Sequence, residues 1–424
     1  MLPGLRRSGA DVREQAVARD EARRAVVIGG SMSGLFAALL LRRSGWHVDI
    51  YERSDAELSG RGAGIVTHPE LREAISAVGI DPSADLGIEV LRRRTLDRDG
   101  RVVGERACRQ LETSWNRLFQ LLRDAFPADR YHLGKDLRDV RQTGTSAEAR
   151  FTDGTFAIGD LLVGADGFRS TVRGKFLPEA QPLYAGYTAW RGLVGEGLLS
   201  ETTHRDIFAD FAFCLPPGEQ MLGYPVAGPG NDLRPGHRSY NWVWYRPADE
   251  EAELPRLLTD RNGRLHAVSI PPPLIAPAVV QDMRRRAETA LAPQFREIVR
   301  LTEQPFLQPI YDLEATQMAF GRVALVGDAA FVARPHVGAG VAKAAHDAMA
   351  LVRALGVDEP VEAALRRFEA ERLAVGRRIV QRARHLGAYL QTRFRSEEER
   401  LLAERHRSPE AVMAETALLD FLSA

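Results

Sequence analysis

Three short turns in this chain carry residues suited to holding a nucleotide. The first, Gly29-Gly30-Ser31-Met32-Ser33-Gly34, follows the apolar run 24–28 and opens a stretch of helix formers at 33–43. Against the pattern G-x-G-x-x-G, its first and third glycines match and Ser31 takes the middle place. The first glycine permits the tight turn, and the third lets the helix pack closely on the strand. The middle residue must let backbone approach a pyrophosphate at the helix N-terminus, and serine is small enough. Glu52 follows a second strand at 48–51 and lies 23 residues after Gly29, where a carboxylate accepts hydrogen bonds from an adenosine ribose. This unit alone does not distinguish NAD from FAD.

Two later turns do. Gly164-Ala165-Asp166-Gly167 and Gly327-Asp328-Ala329-Ala330 each follow a short apolar strand. The second leads through Pro335 to Gly338-Ala339-Gly340 and a helix ending near Gly356. An aspartate beside a helix N-terminus accepts from ribityl hydroxyls, while nearby backbone N–H groups face electron-poor flavin oxygens. Taken singly, each is also an ordinary strand–turn–helix connection, rich in Asp and Gly. Three in this order point to FAD.

The elements that position these turns read as α/β. The run 24–28, the helix 33–43 and the strand 48–51 form a βαβ unit, with Ser44-Gly45 as the helix stop. Thr67 or His68 before Pro69 predicts a helix start, and 114–126 predicts another helix, stopped by Pro127. Asp153-Gly154 predicts a hairpin turn. The stretch 180–275 is rich in aromatics and prolines and predicts a mostly antiparallel sheet. The expected organisation is an extension at 1–23, a Rossmann-like FAD domain at 24–178 and 276–356, an inserted β-sheet substrate domain at 179–275, and C-terminal helices at 357–424. That helical tail reads as intramolecular packing or a homodimer contact.

The 424 residues hold 57 basic and 57 acidic side chains, which argues against nucleic-acid or membrane-surface binding. Only Lys135, Lys175 and Lys343 are lysines, as a GC-rich genome would favour. Two cysteines, Cys108 and Cys214, cannot build a disulfide framework or a thiolate metal site, and a cytoplasmic setting fits. They read as buried apolar residues. No apolar run is long enough to span a bilayer, and residues 1–23 lack the apolar stretch of a signal peptide.

The ordered set GGSMSG, YERS, GADGFRSTVR and RVALVGDAA…RPHVGAG resembles the single-component FAD-dependent aromatic hydroxylases over residues 24–355. The GGSMSGL start, LSGRGAGIV at 58–66, YAGYTAWRG at 184–192 and GVAKA at 340–344 are similar to the 2,6-dihydroxypyridine 3-hydroxylase branch. The resemblance implies that Gly29, Ser31 and Gly34 face the FAD pyrophosphate, Glu52 the adenosine ribose and Arg53 the adenine. It sets the loop of Gly62 and Gly64 near the isoalloxazine and gives Arg117 a phosphate or ribityl contact. Asp166 and Gly167 form the Asp-Gly motif, Asp328 holds the ribityl chain, and Pro335 through Gly338 to Gly340 border the flavin ring and substrate. Phe331 and Ala342 depart from the histidine and asparagine that many relatives carry.

The resemblance also implies the chemistry. NAD(P)H reduces the flavin, O2 adds to give a C4a-hydroperoxyflavin, and a small hydroxylated aromatic or N-heteroaromatic ring attacks the distal oxygen. The protein orients the substrate and keeps water away. The ring attacks better as its anion, so a general base helps. His336 is the first candidate, with Pro335 beside it, then His68 and Tyr224. A histidine that only holds the loop fits His336 at least as well. Arg191 would attract an anionic substrate or pair with an internal acid. Lys343 reads as a solvated lysine, and adjacent His346 and Asp347 point to different helix faces, which argues against a metal site. The rivals are a flavin-dependent halogenase, for which Trp242-Val243-Trp244 is a partial signature that also suits strand packing, a flavin reductase, and a non-catalytic flavin carrier.

Overall fold

The computed structural model describes residues 23–58, 64–81, 85–356, 359–394 and 396–422. The expected extension therefore lies outside it apart from Arg23. The chain starts with β1 (Arg24–Ile28), α1 (Met32–Arg43) and β2 (His47–Tyr51). It continues through β3 (Gly64–Thr67), α2 (Pro69–Ala77), and a hairpin of β4 (Ile88–Leu96) and β5 (Val102–Ser114). After α3 (Trp115–Ala125) come β6 (Tyr131–His132), β7 (Leu137–Gln142), β8 (Ala147–Phe151), β9 (Phe156–Gly159), β10 (Leu161–Gly164) and α4 (Thr171–Phe176). The middle of the chain holds β11 (Leu183–Gly195), α5 (Glu201–Thr203), β12 (Phe211–Cys214), β13 (Gln220–Val226), β14 (Ser239–Pro247) and α6 (Glu253–Leu258). There follow α7 (Pro277–Ala290), α8 (Pro293–Leu301), β15 (Phe306–Glu314), β16 (Ala319–Phe320), β17 (Val323–Leu325) and β18 (Phe331–Val332). The helices α9 (Gly340–Ala354), α10 (Val361–Leu386), α11 (Glu397–His406) and α12 (Pro409–Glu415) complete it.

Two large sheets organise these elements. The first has the order β16-β17-β10-β1-β2-β6, parallel except for β16. Its central strands β1 and β10 are buried from Ala25 to Ile28 and from Leu161 to Gly164, where α1 and α9 share their core. The local signals act as read: Ser114 accepts from Arg117 N at 3.1 Å to cap α3, and Gly154 turns the β8–β9 hairpin at φ +86°.

The second sheet, β18-β15-β11-β14-β13-β12-β4-β5-β3, reaches well beyond the expected 179–275. The β4–β5 hairpin and β3 enter from one side and β15 and β18 from the other. The long strand β4 pairs in parallel with β12, which covers an edge that would otherwise offer unpaired backbone to another chain. The alternation of each strand divides its faces. Trp190, Trp242, Trp244 and Met221 pack on α7 and α8, while Tyr187, Tyr224, Val243 and Tyr245 face the nucleotide-type domain and the C-terminal segment. No described helix is long and apolar enough to cross a membrane.

Candidate active site

The C-terminal ends of β17, β10, β1 and β2 lie side by side, so three turns far apart in sequence meet in space. Ile28 is level with both Gly164 and Tyr51, and Gly164 with Leu325. The chain reverses its strand order at β1, the place where open parallel sheets leave a crevice. A cleft of about 450 Å³ opens there, walled by Gly29 and Ser31, Glu52 and Arg53, Asp166 and Gly167, Asp328 and Pro335. Its far wall is β15 of the second sheet, from Leu307 to Tyr311.

The first turn is built for close approach. Gly29 has φ +102°, and a Cβ on Gly34 would sit 1.9 Å from the Gly29 oxygen. Neither position admits another residue. The Ser31 side chain makes no capping bond and the first turn of α1 carries no acid, which leaves the positive end of that helix free for an anion. Glu52 has a structural job that the sequence did not announce. Its Oε2 accepts from Gly30 N at 2.8 Å and its Oε1 from Ser54 N at 2.9 Å, so it locks the turn that it borders.

The other two turns are tied together by residues that sequence reasoning passed over. Asp166 accepts from Ser170 Oγ at 2.5 Å and from Val172 N at 3.1 Å, which starts α4; burial raises its pKa against these bonds. Buried Arg173 donates to the Phe168 carbonyl at 2.7 Å and the Ala329 carbonyl at 3.0 Å, bridging the second turn to the third. Beneath the third turn, Lys343 is buried, not solvated as expected for a lysine on the helix after Gly340. Its Nζ donates to the Gly327 carbonyl at 2.8 Å and pairs with Asp347 at 3.2 Å. Asp347 in turn accepts from Gly327 N at 3.0 Å and from Arg372 Nε at 2.8 Å. Burial alone would raise its pKa, but Lys343 and Arg372 hold the carboxyl below its usual range.

Asp328 itself opens into the cleft and makes no hydrogen bond among the described residues. The protein that surrounds it on its other sides raises its pKa, with Lys343 opposing and Asp347 reinforcing the shift. A free acceptor in the cleft, the uncapped and acid-free start of α1 and a cleft joining them suit a dinucleotide with a polyhydroxylated chain. Phe331 is accommodated by α10, where a Cβ on Gly376 would meet its ring at 2.5 Å.

Several candidate residues stand elsewhere. Gly62 lies outside the described residues. Arg117 does not line the cleft: its Nε donates to the Asp85 carbonyl at 2.6 Å and its Nη1 to the Asn231 carbonyl at 3.0 Å. Gly338 and Gly340 lie beyond the Pro335 rim, and the Gly338 carbonyl is 3.1 Å from His68 Nε2. Burial lowers the His68 pKa, so its ring is a neutral donor that holds this loop.

His336 is buried behind the cleft, with Nε2 2.7 Å from the Tyr187 hydroxyl. Burial and the charges of Arg334 and Arg191 push its pKa down to about 3. It is therefore a neutral, fixed ring. Tyr224 lies opposite Asn241 across the β13–β14 pair, and its hydroxyl makes no hydrogen bond among the described residues. Trp242 and Trp244 turn away, donating to Thr302 Oγ1 at 2.8 Å and Glu219 Oε2 at 2.9 Å on the opposite face, which makes them strand packing.

Comparison with known proteins agrees with this geometry. The FAD binding domain family matches residues 284–383, an FAD binding domain-like family 184–312, and an NAD(P)-binding Rossmann-like domain 27–84. The chain is 33% identical over 374 residues to 2,6-dihydroxypyridine 3-monooxygenase of Paenarthrobacter nicotinovorans, covering 87% of this chain and 91% of the relative. The structure of 2,6-dihydroxypyridine-3-hydroxylase from Arthrobacter nicotinovorans superposes with a TM-score of 0.82 at 31% identity, covering 89% of this chain and 96% of that one. A 3-amino-4-hydroxybenzoate 2-monooxygenase of Streptomyces cremeus is 29% identical, covering 86% of each.

Proposed function

The chain belongs to the FAD-dependent aromatic hydroxylases, and from that premise we propose that it hydroxylates a hydroxypyridine-like ring with NAD(P)H and O2. The observation that carries this reading is the single cleft joining the three nucleotide-type turns to the wall of the aromatic sheet. When bound, FAD supplies the redox chemistry, accepting hydride from NAD(P)H and activating O2. The chain's own part is to hold, orient and exclude. Gly29, Ser31 and Gly34 would hold the pyrophosphate and Asp328 the ribityl hydroxyls, with Pro335 at the ring end. The buried aromatic face of the second sheet keeps water from the reacting ring. Its polar side chains give the substrate an orientation, which suits a small ring bearing hydroxyl groups. The reading assigns the reaction to the cytoplasm, where NAD(P)H is supplied.

The test is NAD(P)H oxidation by the FAD-loaded protein with a panel of hydroxypyridines and hydroxybenzoates, recording hydrogen peroxide in parallel. A hydroxypyridine should accelerate oxidation with little peroxide released. Slow oxidation that no panel member accelerates would overturn the substrate class.

A further inference from the structure

On the face of the second sheet that looks toward the cleft domain, three polar side chains carry buried atoms that have no hydrogen-bond partner among the described residues. Glu112 is fully buried, and among the described residues neither of its carboxyl oxygens has a hydrogen bond; the Asn241 Nδ2 and Arg191 Nε atoms are buried and unpaired in the same sense. Folded proteins rarely leave such groups unmet unless something else completes them. Their convergence follows from register. Tyr224 is directly opposite Asn241, and Arg191 is opposite Val243, two residues along the same strand face. Gly64 on β3 donates its N–H to Asn241 Oδ1 at 3.0 Å, and a Cβ there would lie 2.4 Å from the Tyr224 ring. Two residues further along β3, Val66 is opposite Glu112.

The charged and titratable groups facing Glu112 are Arg93 from β4 and Tyr224 from β13. Arg93 does not satisfy it. Its Nη1 donates to the Met413 carbonyl at 2.7 Å, and its Nε and Nη2 donate to Gln110 Oε1 at 3.1 and 2.6 Å. Burial, opposed by the Arg93 charge, pushes the Glu112 carboxyl up to about 8, so it exchanges protons near neutral pH.

We propose that Glu112 is the group that takes the proton from the substrate's ring hydroxyl, or from the ring N–H of its lactam form, while Arg191 and Asn241 hold the oxygen of the resulting anion. The proton passes from ring oxygen or nitrogen to the Glu112 carboxylate; no bond to carbon changes and no electrons are gained or lost. The donor set selects a ring that offers both an acidic O–H or N–H and a second oxygen, as dihydroxylated pyridines do. This assignment rests on the hydroxylase reading above.

The experiment compares wild type, Glu112→Gln and Glu112→Asp as FAD-loaded proteins, with 2,6-dihydroxypyridine as probe. It records flavin content, the pH profile of kcat/KM, and the ultraviolet spectrum of the probe bound to oxidised enzyme. Wild type should bind the probe as its anion, Glu112→Gln as the neutral form with kcat/KM lower by on the order of 100-fold. Glu112→Asp should recover part of the rate and the ionisation. Equal rates and spectra for wild type and Glu112→Gln would overturn the role of Glu112 alone. A wild type that neither binds nor responds to the probe would overturn both this proposal and the substrate class. If Glu112→Gln fails to retain flavin, Glu112→Asp decides: a neutral bound probe and an unchanged pH profile would reject the proposal.

Discussion

Lys343 and Asp347, one turn apart on α9, form a buried ion pair at 3.2 Å, and each also holds one of the two backbone polar groups of Gly327. The lysine grips the carbonyl and the carboxylate grips the N–H, which fixes the turn that presents Asp328 to the cleft.

Lys343→Met keeps most of the apolar stem and removes the charge. Asp347 then keeps only Arg372 and the Gly327 N–H, so stability should fall by about 3 kcal/mol, at the low end for breaking a buried pair. FAD affinity should fall with it, because the Asp328 turn loses an anchor. Denaturant unfolding and flavin-fluorescence titration check this; unchanged affinity would show that the network does not position the cofactor.

Gly34→Ala should prevent FAD retention. The added methyl would lie 1.9 Å from the Gly29 oxygen, so either the turn or α1 must shift. The same substitution at Gly167 meets nothing within 4 Å, and its cost is confined to φ +74° in a short turn. Flavin content after purification should separate the two variants sharply.

His336 and Glu112 give pH dependences of opposite sign. The folded state holds His336 at about 3, below the 6.5 of the free side chain, so the unfolded chain binds its proton first. Stability is then lost as pH falls from 6.5 toward 3, by about 1.4 kcal/mol per unit. Glu112 is held near 8, above 4.5, so the folded state keeps a proton that the unfolded chain releases. Its contribution is lost as pH rises from 4.5 to 8. Relative to ligand-free wild type, His336→Gln should gain on acidification and Glu112→Gln on alkalinisation. Parallel stability curves for all three proteins would contradict both assignments.

Trp242→Phe tests the division of the sheet faces. It removes the bond to Thr302 Oγ1 and some buried volume in the core against α7 and α8, costing about 1–3 kcal/mol. Its side chain points away from the cleft, so flavin content and the KM for an accepted ring should hold. A marked rise in KM with normal flavin content would show that the two faces are coupled.

The nucleotide-type framework was legible because its rules are local. A strand, a glycine turn and a helix follow one another within a few residues, and Ser114, Pro69 and Gly154 act through their immediate neighbours. The same local reasoning missed the buried network, since nothing near Lys343 in the sequence announces that α10 will bring Arg372 against Asp347. It put His336 first among the candidate bases because a histidine beside a flavin-loop proline has the right chemistry, and it gave a loop-holding histidine at least equal weight. Only the packing of Tyr187, Arg334 and Arg191 around the ring makes it neutral and inaccessible to that role.

What the sequence by itself determined is therefore the cofactor-binding half: which turns exist, their order, and the class of molecule they hold. Tertiary structure alone decided which polar side chains face one another across the second sheet. Strands far apart in the chain set that face, and a side chain's charge depends on the burial and partners that they supply. Glu112 is an unremarkable residue of a mixed strand until β3, β4 and β13 pack around it and leave its carboxyl without a hydrogen bond among the described residues.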